Sequence, residues 1–342
     1  MQNLERHATM SKDRKSKPLK IGGKTIAPGS SERFDLFAAR LPTHTELAIP
    51  LHIFNGKYDG PKVWLSAAVH GDELNGVEII RRVVEQIDEP LQCGAVIAIP
   101  IVNVFGFIGQ SRYLPDRRDL NRSFPGSKTG SLASRMAHLF MTEIVSNCSH
   151  GIDLHTASMD RTNFPQIRGD LSDPETLRCA EAFRAPVMIH SQERTGSLRS
   201  AASKKGVASL VYEAGEAQRF NGNAIDIGVA GVFGVLNELG IVRSKKKKAR
   251  KSQLVEKSTW VRARKGGILR LDVAEGDMVE AKQVIGQVSD AFGNEASFLR
   301  SPFRGLVIGM TLNPLVHQGD AVVHVGHLKH ADVDLGNYLF DD

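Results

Sequence analysis

The stretch Val63–Glu73, which reads VWLSAAVHGDE, decides the fold that the sequence predicts. Its first seven residues, Val63 to Val69, carry no charge, which is typical of a strand buried on both faces of a sheet. His70 and Gly71 follow at once, and the acidic pair at 72 and 73 opens a helical pattern that runs to residue 89. The sequence therefore places a histidine at the carboxyl end of a central strand, where open α/β sheets carry their sites.

His70 and Glu73 form an H-x-x-E pair that can converge on one cation if Gly71 lets the chain turn sharply. Catalytic zinc sites usually have three protein ligands and one position for water, so a third ligand should come from another strand end. The segment GIDLH at 151–155 supplies His155. We therefore predict that His70, Glu73 and His155 hold one Zn²⁺ per chain, although another divalent ion could replace it. Taken alone, a histidine after a strand is more often a hydrogen-bonded loop residue.

Strand and helix patterns alternate along residues 46–243, which predicts an α/β fold with a mostly parallel mixed sheet flanked by helices. The pair Asn55-Gly56 predicts a hairpin between an edge strand at Leu47 to Ile53 and the strand at Lys62. After residue 258 the hydrophobic period changes to two. A turn recurs as EGDMV at 275–279 and QGDAV at 318–322, which predicts a C-terminal all-β, barrel-like domain.

That C-terminal domain resembles the biotinyl/lipoyl-type barrel, notably in SPFRG at 301–305, but it has no modifiable lysine between two methionines. We therefore expect a structural module that narrows access to the site. The predicted division of the chain is an N-terminal extension at 1–45, the α/β domain with the metal site at 46–243, a basic linker at 244–257, the β-barrel-like domain at 258–330 and a C-terminal tail at 331–342.

The composition excludes several classes of protein. The 44 basic and 38 acidic residues give a net charge of +6, and much of that excess lies in KKKKARK at 245–251. No aromatic residues interleave there, so a solvated linker is favoured over a nucleic-acid site. Three scattered cysteines argue against a disulfide framework. The polar N-terminus and the absence of an apolar run of about 18 residues predict a cytoplasmic protein without membrane contact. A homo-oligomer stays possible.

A dense polar segment, RYLPDRRDLNRSFPG at 112–126, offers groups for binding an anionic substrate. Asn121 and Arg122 can hold a carboxylate through an amide donor and a planar guanidinium. Arg112 is a candidate for polarising a scissile carbonyl. The remaining charged residues of the segment are interpreted as surface ion pairs, namely Asp116, Arg117, Arg118 and Asp119.

Glu213 ends a predicted strand in VYEAGE and is the candidate general base and acid. A carboxylate there can take a proton from an attacking water and deliver it to a leaving nitrogen. Glu216, three residues on, is its rival. Arg168, in NFPQIR, is a candidate for a second carboxylate contact.

Four motifs together resemble the succinylglutamate desuccinylase/aspartoacylase family, a branch of the zinc carboxypeptidase-like superfamily: HGDE at 70–73, DLNRSFPG at 119–126, DLHT at 153–156 and Glu213. The resemblance implies a zinc amidohydrolase that removes an acyl group from a small N-acyl amino acid, by attack of a zinc-activated water on the amide carbonyl. It implies zinc ligands at His70, Glu73 and His155, proton transfer by Glu213, carboxylate binding by Asn121 and Arg122, and Arg112 beside the scissile carbonyl.

Two other functions stay open at this point. A metallocarboxypeptidase would cut C-terminal residues from peptides, and a non-catalytic relative would use the metal and the barrel for binding only. An intact Glu213 weighs against the second, because a binding module has no chemical need for a carboxylate there. The sequence defines neither the acyl group nor the amino acid.

Overall fold

The computed structural model describes residues 14–243 and 251–328. Most of the basic run at 245–251, and all of the predicted tail, therefore lie outside the described residues. None of the helices within the described ranges is both long and apolar enough to cross a membrane.

The described residues form strands, α-helices and two short 3-10 helices. The strands are β1 Leu19–Ile21, β2 Lys24–Ile26, β3 Ser30–Arg40, β4 Glu46–Asn55, β5 Tyr58–Ala67, β6 Cys93–Ile99, β7 His150–His155, β8 Arg161–Gly169, β9 Val187–His190, β10 Ala208–Glu216, β11 Gln253–Arg262, β12 Gly267–Leu271, β13 Met278–Val279, β14 Val284–Ser289, β15 Ser297–Arg300, β16 Gly305–Thr311, β17 Leu315–Val316 and β18 Ala321–Leu328. The α-helices are α1 Asn75–Gln86, α2 Val104–Ile108, α3 Leu132–Glu143, α4 Pro174–Phe183, α5 Leu198–Ser203 and α6 Gly222–Glu238, and the 3-10 helices are Leu120–Arg122 and Val145–Asn147.

A twelve-stranded mixed sheet organises the chain, in the order β13-β16-β18-β11-β9-β8-β10-β7-β5-β6-β4-β3. Its centre, β10-β7-β5-β6, is parallel, whereas β3, β4, β16 and β18 pair antiparallel toward the two edges. One apolar cluster packs α1, α4 and α6 on one face, and a second packs α3 and α5 on the other. Helices on both faces explain why β5 and β6 are apolar without alternation.

The predicted α/β class is confirmed. Helix α4 spans Pro174–Phe183, and the side chain of Asp173 accepts from the N–H of Thr176 at its start. Helix α6 spans Gly222–Glu238 despite its interior glycines. Two of these, Gly228 and Gly231, face Ile79 and the ring of Phe183 so closely that any larger residue would collide.

The predicted hairpin between β4 and β5 is wrong. Strand β6 lies between them and pairs with both, and β4 is an internal strand because β3 forms the edge. Gly56 does not serve a two-residue turn but allows a close approach, since its N–H donates to the carbonyl of Gly94 at 2.8 Å and an added Cβ would lie 2.7 Å from the carbonyl carbon of Cys93. The turn signal of Asn55-Gly56 was therefore overridden by tertiary packing.

The C-terminal module is confirmed as all-β and is joined to the main sheet. A second sheet, in the order β15-β14-β12-β17, packs over an apolar cluster that includes Leu269, Ile285, Leu299 and Val323. Strands β11, β16 and β18 continue the main sheet, and β16 pairs directly with β8 along 309–311. The module therefore contacts a strand that begins near the predicted site.

Gly71 lies in the turn between β5 and α1, where the backbone of α2 packs closely against it. An added Cβ would lie 1.9 Å from the carbonyl carbon of Gly106 and 2.1 Å from the amide nitrogen of Phe107, both in α2. Its own N–H donates to the carbonyl of Ser111 at 3.1 Å. Close approach, and not a left-handed backbone, therefore requires glycine here. Glu73 lies in this turn, two residues before α1 begins, and not in the first helical turn as predicted.

We expect Gly71→Ala to lower the free energy of unfolding by about 1–3 kcal/mol, because the new methyl group must displace α2. Chemical denaturation measures this change. Gly222→Ala is the control, since nothing lies within 4 Å of an added Cβ there, and its effect should stay within about 0.5 kcal/mol. Equal stabilities for the Gly71 variant and the wild type would show that the close approach does not constrain the turn.

Candidate metal centre

The three predicted metal ligands meet at the carboxyl end of the central strands. The carboxylate of Glu73 lies between two imidazoles, with Nδ1 of His70 2.8 Å from Oε1 and Nδ1 of His155 2.7 Å from Oε2. All three side chains are buried, and their ligand atoms lie within 4.8 Å of one another. The structure therefore brings together residues that are far apart in the chain, as the sequence predicts.

The second nitrogen of each imidazole contacts a further carboxylate. Nε2 of His70 lies 3.2 Å from Oδ1 of Asp119, and Nε2 of His155 lies 2.8 Å from Oδ2 of Asp153. The hydroxyl of Ser66 donates to the other oxygen of Asp153 at 2.7 Å. Carboxylates in these positions orient metal-binding histidines and increase their basicity. The arrangement leaves Nδ1 of both rings directed at the shared position.

The buried carboxylates around His70 and His155 favour positive charge on the two imidazole rings. Burial lowers the pKa of His155, but the carboxylates of Asp153 and Glu73 outweigh it and raise the pKa well above its ordinary value. Burial likewise lowers the pKa of His70, but the carboxylates of Glu73 and Asp119 outweigh burial, so the pKa lies above its ordinary value. The pKa of Glu73 would rise on burial, yet the two imidazoles hold it well below its usual range.

This donor set fits a zinc ion. Two imidazole nitrogens and one carboxylate are a ligand set of catalytic zinc sites. Glu73, Asp119 and Asp153 surround the two rings, and Arg112 is the cationic side chain paired with them. A divalent cation bound to the neutral imidazoles would therefore neutralise buried negative charge that the protein otherwise balances with protons.

The described residues contain one further group with metal-binding side chains, and it lies elsewhere. His150, Glu175 and Cys179 meet where β7 begins, at the opposite end of the strand from His155. There the guanidinium of Arg178 donates to both oxygens of Glu175, at 2.6 and 3.0 Å. Burial raises the pKa of Cys179 to about 12, so its thiol stays protonated. This group is therefore a structural ion pair beside a buried thiol.

Glu213 lies next to the candidate metal ligand His155. It is in register with His155 between the parallel strands β10 and β7. Residues paired in this way project from the same face of a sheet, so the carboxylate faces the metal position. Oε2 of Glu213 accepts a hydrogen bond from Nδ2 of Asn163 at 2.7 Å. Its rival Glu216 lies beyond a bulge that follows Glu213, and it pairs with Arg219 at 3.3 Å.

Asn121 and Arg122 lie on the 3-10 helix that also carries Asp119 at its start. The side chain of Asp119 accepts from the N–H of Asn121 at 2.8 Å, and Oδ1 of Asn121 accepts from the N–H of Leu198 at 2.9 Å. These bonds fix the amide of Asn121, and no described residue accepts from its Nδ2. The guanidinium of Arg122 donates only to the carbonyl of Asn121 within the described residues, at 2.6 Å. Both groups are therefore able to donate to an anion.

Hydrogen bonds hold Arg112 beside the candidate metal ligand Glu73. Its Nη2 lies 2.9 Å and its Nε 3.2 Å from Oδ2 of Asp119, and its Nη1 lies 3.5 Å from Oε1 of Glu73. Asp119 thus joins Arg112 to His70, and this corrects the interpretation of Asp119 as part of a surface ion pair. The same interpretation holds for Arg118 and Asp116, whose Nε and Oδ2 lie 3.9 Å apart at the surface.

Two functional candidates escaped the sequence interpretation. Asp153 lies two residues before His155 on one strand, and the period of two would have placed both on the same face. Arg199, on α5, is half-buried; burial lowers its pKa, with Arg168 acting in the same direction and Glu193, Asp170 and Glu213 opposing it. Its guanidinium donates to the carbonyls of Ser191 and Gln192, at 3.0 and 3.1 Å, and the sequence carries no motif that distinguishes Arg199 from an ordinary helix arginine.

Comparison with known proteins gives one family model that matches, the succinylglutamate desuccinylase/aspartoacylase catalytic domain, over residues 59–239. This range contains all three candidate metal ligands and Glu213. A curated relative, the N-alpha-acetyl-L-2,4-diaminobutyric acid deacetylase of Halomonas elongata, is 27% identical over 244 residues, which cover 68% of this chain and 71% of the relative.

Solved structures show the same fold over nearly the whole chain. A succinylglutamate desuccinylase/aspartoacylase from Rhodobacter sphaeroides has a TM-score of 0.80 and 25% identity, and the match covers 93% of this chain and 99% of that one. The product-bound ectoine utilization protein EutE of Ruegeria pomeroyi has a TM-score of 0.78 and 23% identity, over 88% and 97% of the two chains.

We expect Asp153→Asn to weaken zinc binding by about 10–100-fold, because His155 loses the carboxylate that orients its ring. Competition with a chromogenic chelator measures the zinc dissociation constant. Asp88→Asn removes an equal charge from an exposed position and should leave it unchanged. A zinc affinity that is equal in the wild type and the Asp153 variant would contradict the assigned role of Asp153.

Proposed function

The chain belongs to the succinylglutamate desuccinylase/aspartoacylase family, and from this premise we propose that it is a zinc-dependent amidohydrolase that removes the acyl group of a small N-acyl amino acid. The observation that carries the proposal is the buried group His70, Glu73 and His155 with Glu213 in register beside it. The Halomonas relative, named for deacetylation of an N-acetylated amino acid, supports this substrate class.

His70, Glu73 and His155 would hold the zinc ion. When bound, zinc supplies Lewis-acid chemistry, which polarises a carbonyl and lowers the pKa of water toward 7. The protein's own contribution is to fix the three ligands before the ion arrives. Asp119 and Asp153 do so by holding the two rings, and the burial of all three ligands keeps competing water away.

Glu213 would move the proton. Its Oε2 is occupied by Asn163, and no described residue donates to its Oε1. That oxygen would accept a proton from the attacking water and then deliver it to the leaving nitrogen, as a general base and then a general acid. The hydrogen bond from Asn163 fixes the carboxylate for both steps.

The substrate carboxylate would lie against Asn121 and Arg122. The Nδ2 of Asn121 and the guanidinium of Arg122 both have N–H groups available to donate to it. Arg112, held by Asp119 and close to Glu73, would stabilise the oxygen of the scissile carbonyl as negative charge develops on it. A small substrate would thus be held at two points, by its carboxylate at Asn121 and Arg122 and by its reacting amide near Arg112. Peptides longer than two residues would not be hydrolysed.

A screen of N-acetyl, N-succinyl and N-formyl amino acids with zinc-loaded protein tests this proposal. We expect hydrolysis of at least one of them, and we expect Glu213→Gln to lower kcat by about 10²–10⁴-fold with an unchanged zinc content, because the proton has no acceptor. Glu216→Gln, three residues away, should retain near wild-type activity. Full activity of the Glu213 variant would remove Glu213 from the mechanism.

Arg122→Gln should lower kcat/KM by about 10–100-fold, mainly through a higher KM, because the substrate carboxylate loses a charge-assisted hydrogen bond. Steady-state kinetics on the best substrate of the screen measure both constants. Arg118→Gln is the matched control, since Arg118 is exposed in the same segment and should leave KM unchanged. An equal rise in KM for both variants would indicate a general effect of charge and not a contact.

A further inference from the structure

Strand β16 of the C-terminal module lies along the strand that begins beside the candidate general base. Residues 309–311 of β16 pair antiparallel with residues 161–163 of β8. The carbonyl of Ile308, just before them, accepts from Nε2 of Gln166 at 3.0 Å, and Oε1 of Gln166 lies 3.2 Å from Nη2 of Arg168. The module is therefore part of the sheet that carries the candidate site.

Asn163 joins this contact to Glu213. Its side chain is buried, and its Nδ2 donates to Oε2 of Glu213 at 2.7 Å. Glu213 itself is in register with the candidate ligand His155. Within the described ranges, no other residue donates a hydrogen bond to the carboxylate of Glu213. The position of the Asn163 amide therefore determines how that carboxylate is directed.

Gly309 leaves free the space that this amide needs. A Cβ added at Gly309 would lie 2.7 Å from Oδ1 of Asn163, closer than non-bonded atoms approach, and 3.1 Å from the carbonyl oxygen of Thr162. Gly309 does not have a left-handed backbone, so the contact is the reason for glycine here. The nearer atom ends a side chain and the farther one belongs to the backbone. A methyl group would therefore displace the amide before it moves the strand.

The backbone before Asn163 is held in place and cannot relieve this contact by a simple shift. The N–H of Leu312, in the module, donates to the carbonyl of Asp160 at 2.7 Å. The hydroxyl of Thr162 donates to Oε2 of Glu275, also in the module, at 2.6 Å. Because both bonds tie the start of β8 to the module, the displacement falls on the side chain of Asn163.

We propose that Gly309 is a positioning residue: by carrying no side chain, it allows Asn163 to hold Glu213 for proton transfer. The inference rests on the proposed function, which makes Glu213 the general base. It gives the C-terminal module a task beyond the expected narrowing of access, because a residue of the module determines where a group of the α/β domain lies. Misplacing a reacting group by about 1 Å can lower a rate by about 10²-fold.

Steady-state kinetics of Gly309→Ala on the best substrate of the screen test this role. We expect kcat to fall by about 10–100-fold, because the carboxylate of Glu213 loses its hydrogen bond. KM should stay within about 3-fold, since Asn121 and Arg122 are not touched, and the zinc content should not change. Gly266→Ala is the control in the same module, because an added Cβ there is 3.4 Å from its nearest neighbour, and it should retain wild-type kcat. A higher KM with an unchanged kcat in Gly309→Ala would overturn the proposal.

A double-mutant cycle shows whether Gly309 acts through Asn163. Asn163→Ala should lower kcat by a similar factor, and adding Gly309→Ala should change it by no more than about 3-fold, because the amide that the methyl group displaces is gone. Multiplication of the two single effects would overturn the proposal. If Gly309→Ala does not fold, thermal unfolding of the double variant decides. Folding restored by Asn163→Ala would support competition for one space, and no restoration would overturn it.

Crystal structures of the wild type and of Gly309→Ala test the contact without any activity. We expect the distance from Nδ2 of Asn163 to Oε2 of Glu213 to increase from 2.7 Å to beyond about 3.5 Å. A bond that is retained would overturn the proposal. A displaced amide in a chain that hydrolyses no N-acyl amino acid would support the role of Gly309 in placing Asn163 and contradict the proposed function. Hydrolysis by Gly309→Ala at the wild-type kcat would do the reverse.

Discussion

Buried negative charge at the end of the central strands is the constraint on which the rest of the site depends. Glu73 and Asp153 are almost completely buried and Asp119 is partly buried, and each contacts an imidazole of the same pair. Carboxylates in such surroundings are stable only when positive charge or hydrogen-bond donors accompany them. The protein supplies two imidazoles and Arg112, and this environment favours a bound cation over an apolar or neutral ligand. The candidate metal centre is therefore a consequence of how the carboxylates are buried.

The register of the central sheet places the side chains of the candidate site next to one another. Ser66, Asp153 and His155 lie on neighbouring parallel strands, and the in-register pairing of β10 with β7 places Glu213 beside His155. On the far side of β10, β8 brings Gln166 and Arg168 to the same face, and the carbonyl of Ile308 in β16 of the C-terminal module accepts a hydrogen bond from Gln166. One face of the neighbouring strands β7, β10 and β8 thus carries the candidate ligand His155, the candidate general base Glu213 and the buried Gln166 in sequence.

The sequence predicted the parts of this arrangement that have local signals. A charge-free apolar run ending in His70, and a second strand ending in His155, predicted that these two candidate ligands meet, because parallel strands share a carboxyl edge. The hairpin at Asn55-Gly56 was wrong because its signal is local, whereas the close packing of Gly56 on Gly94 involves a strand far along the chain. Asp119 was misassigned for the same reason. Its segment, rich in Arg and Asp, has the composition of an exposed loop, and its contact with His70 comes from a part of the chain far from it in sequence.

Anomalous diffraction at the zinc absorption edge, from crystals grown with the metal, tests the central claim most directly. The account predicts one strong peak at about 2.0–2.2 Å from Nδ1 of His70, Nδ1 of His155 and an oxygen of Glu73. A peak at His150, Glu175 and Cys179 instead, or no peak within coordination distance of His70 and His155, would contradict it.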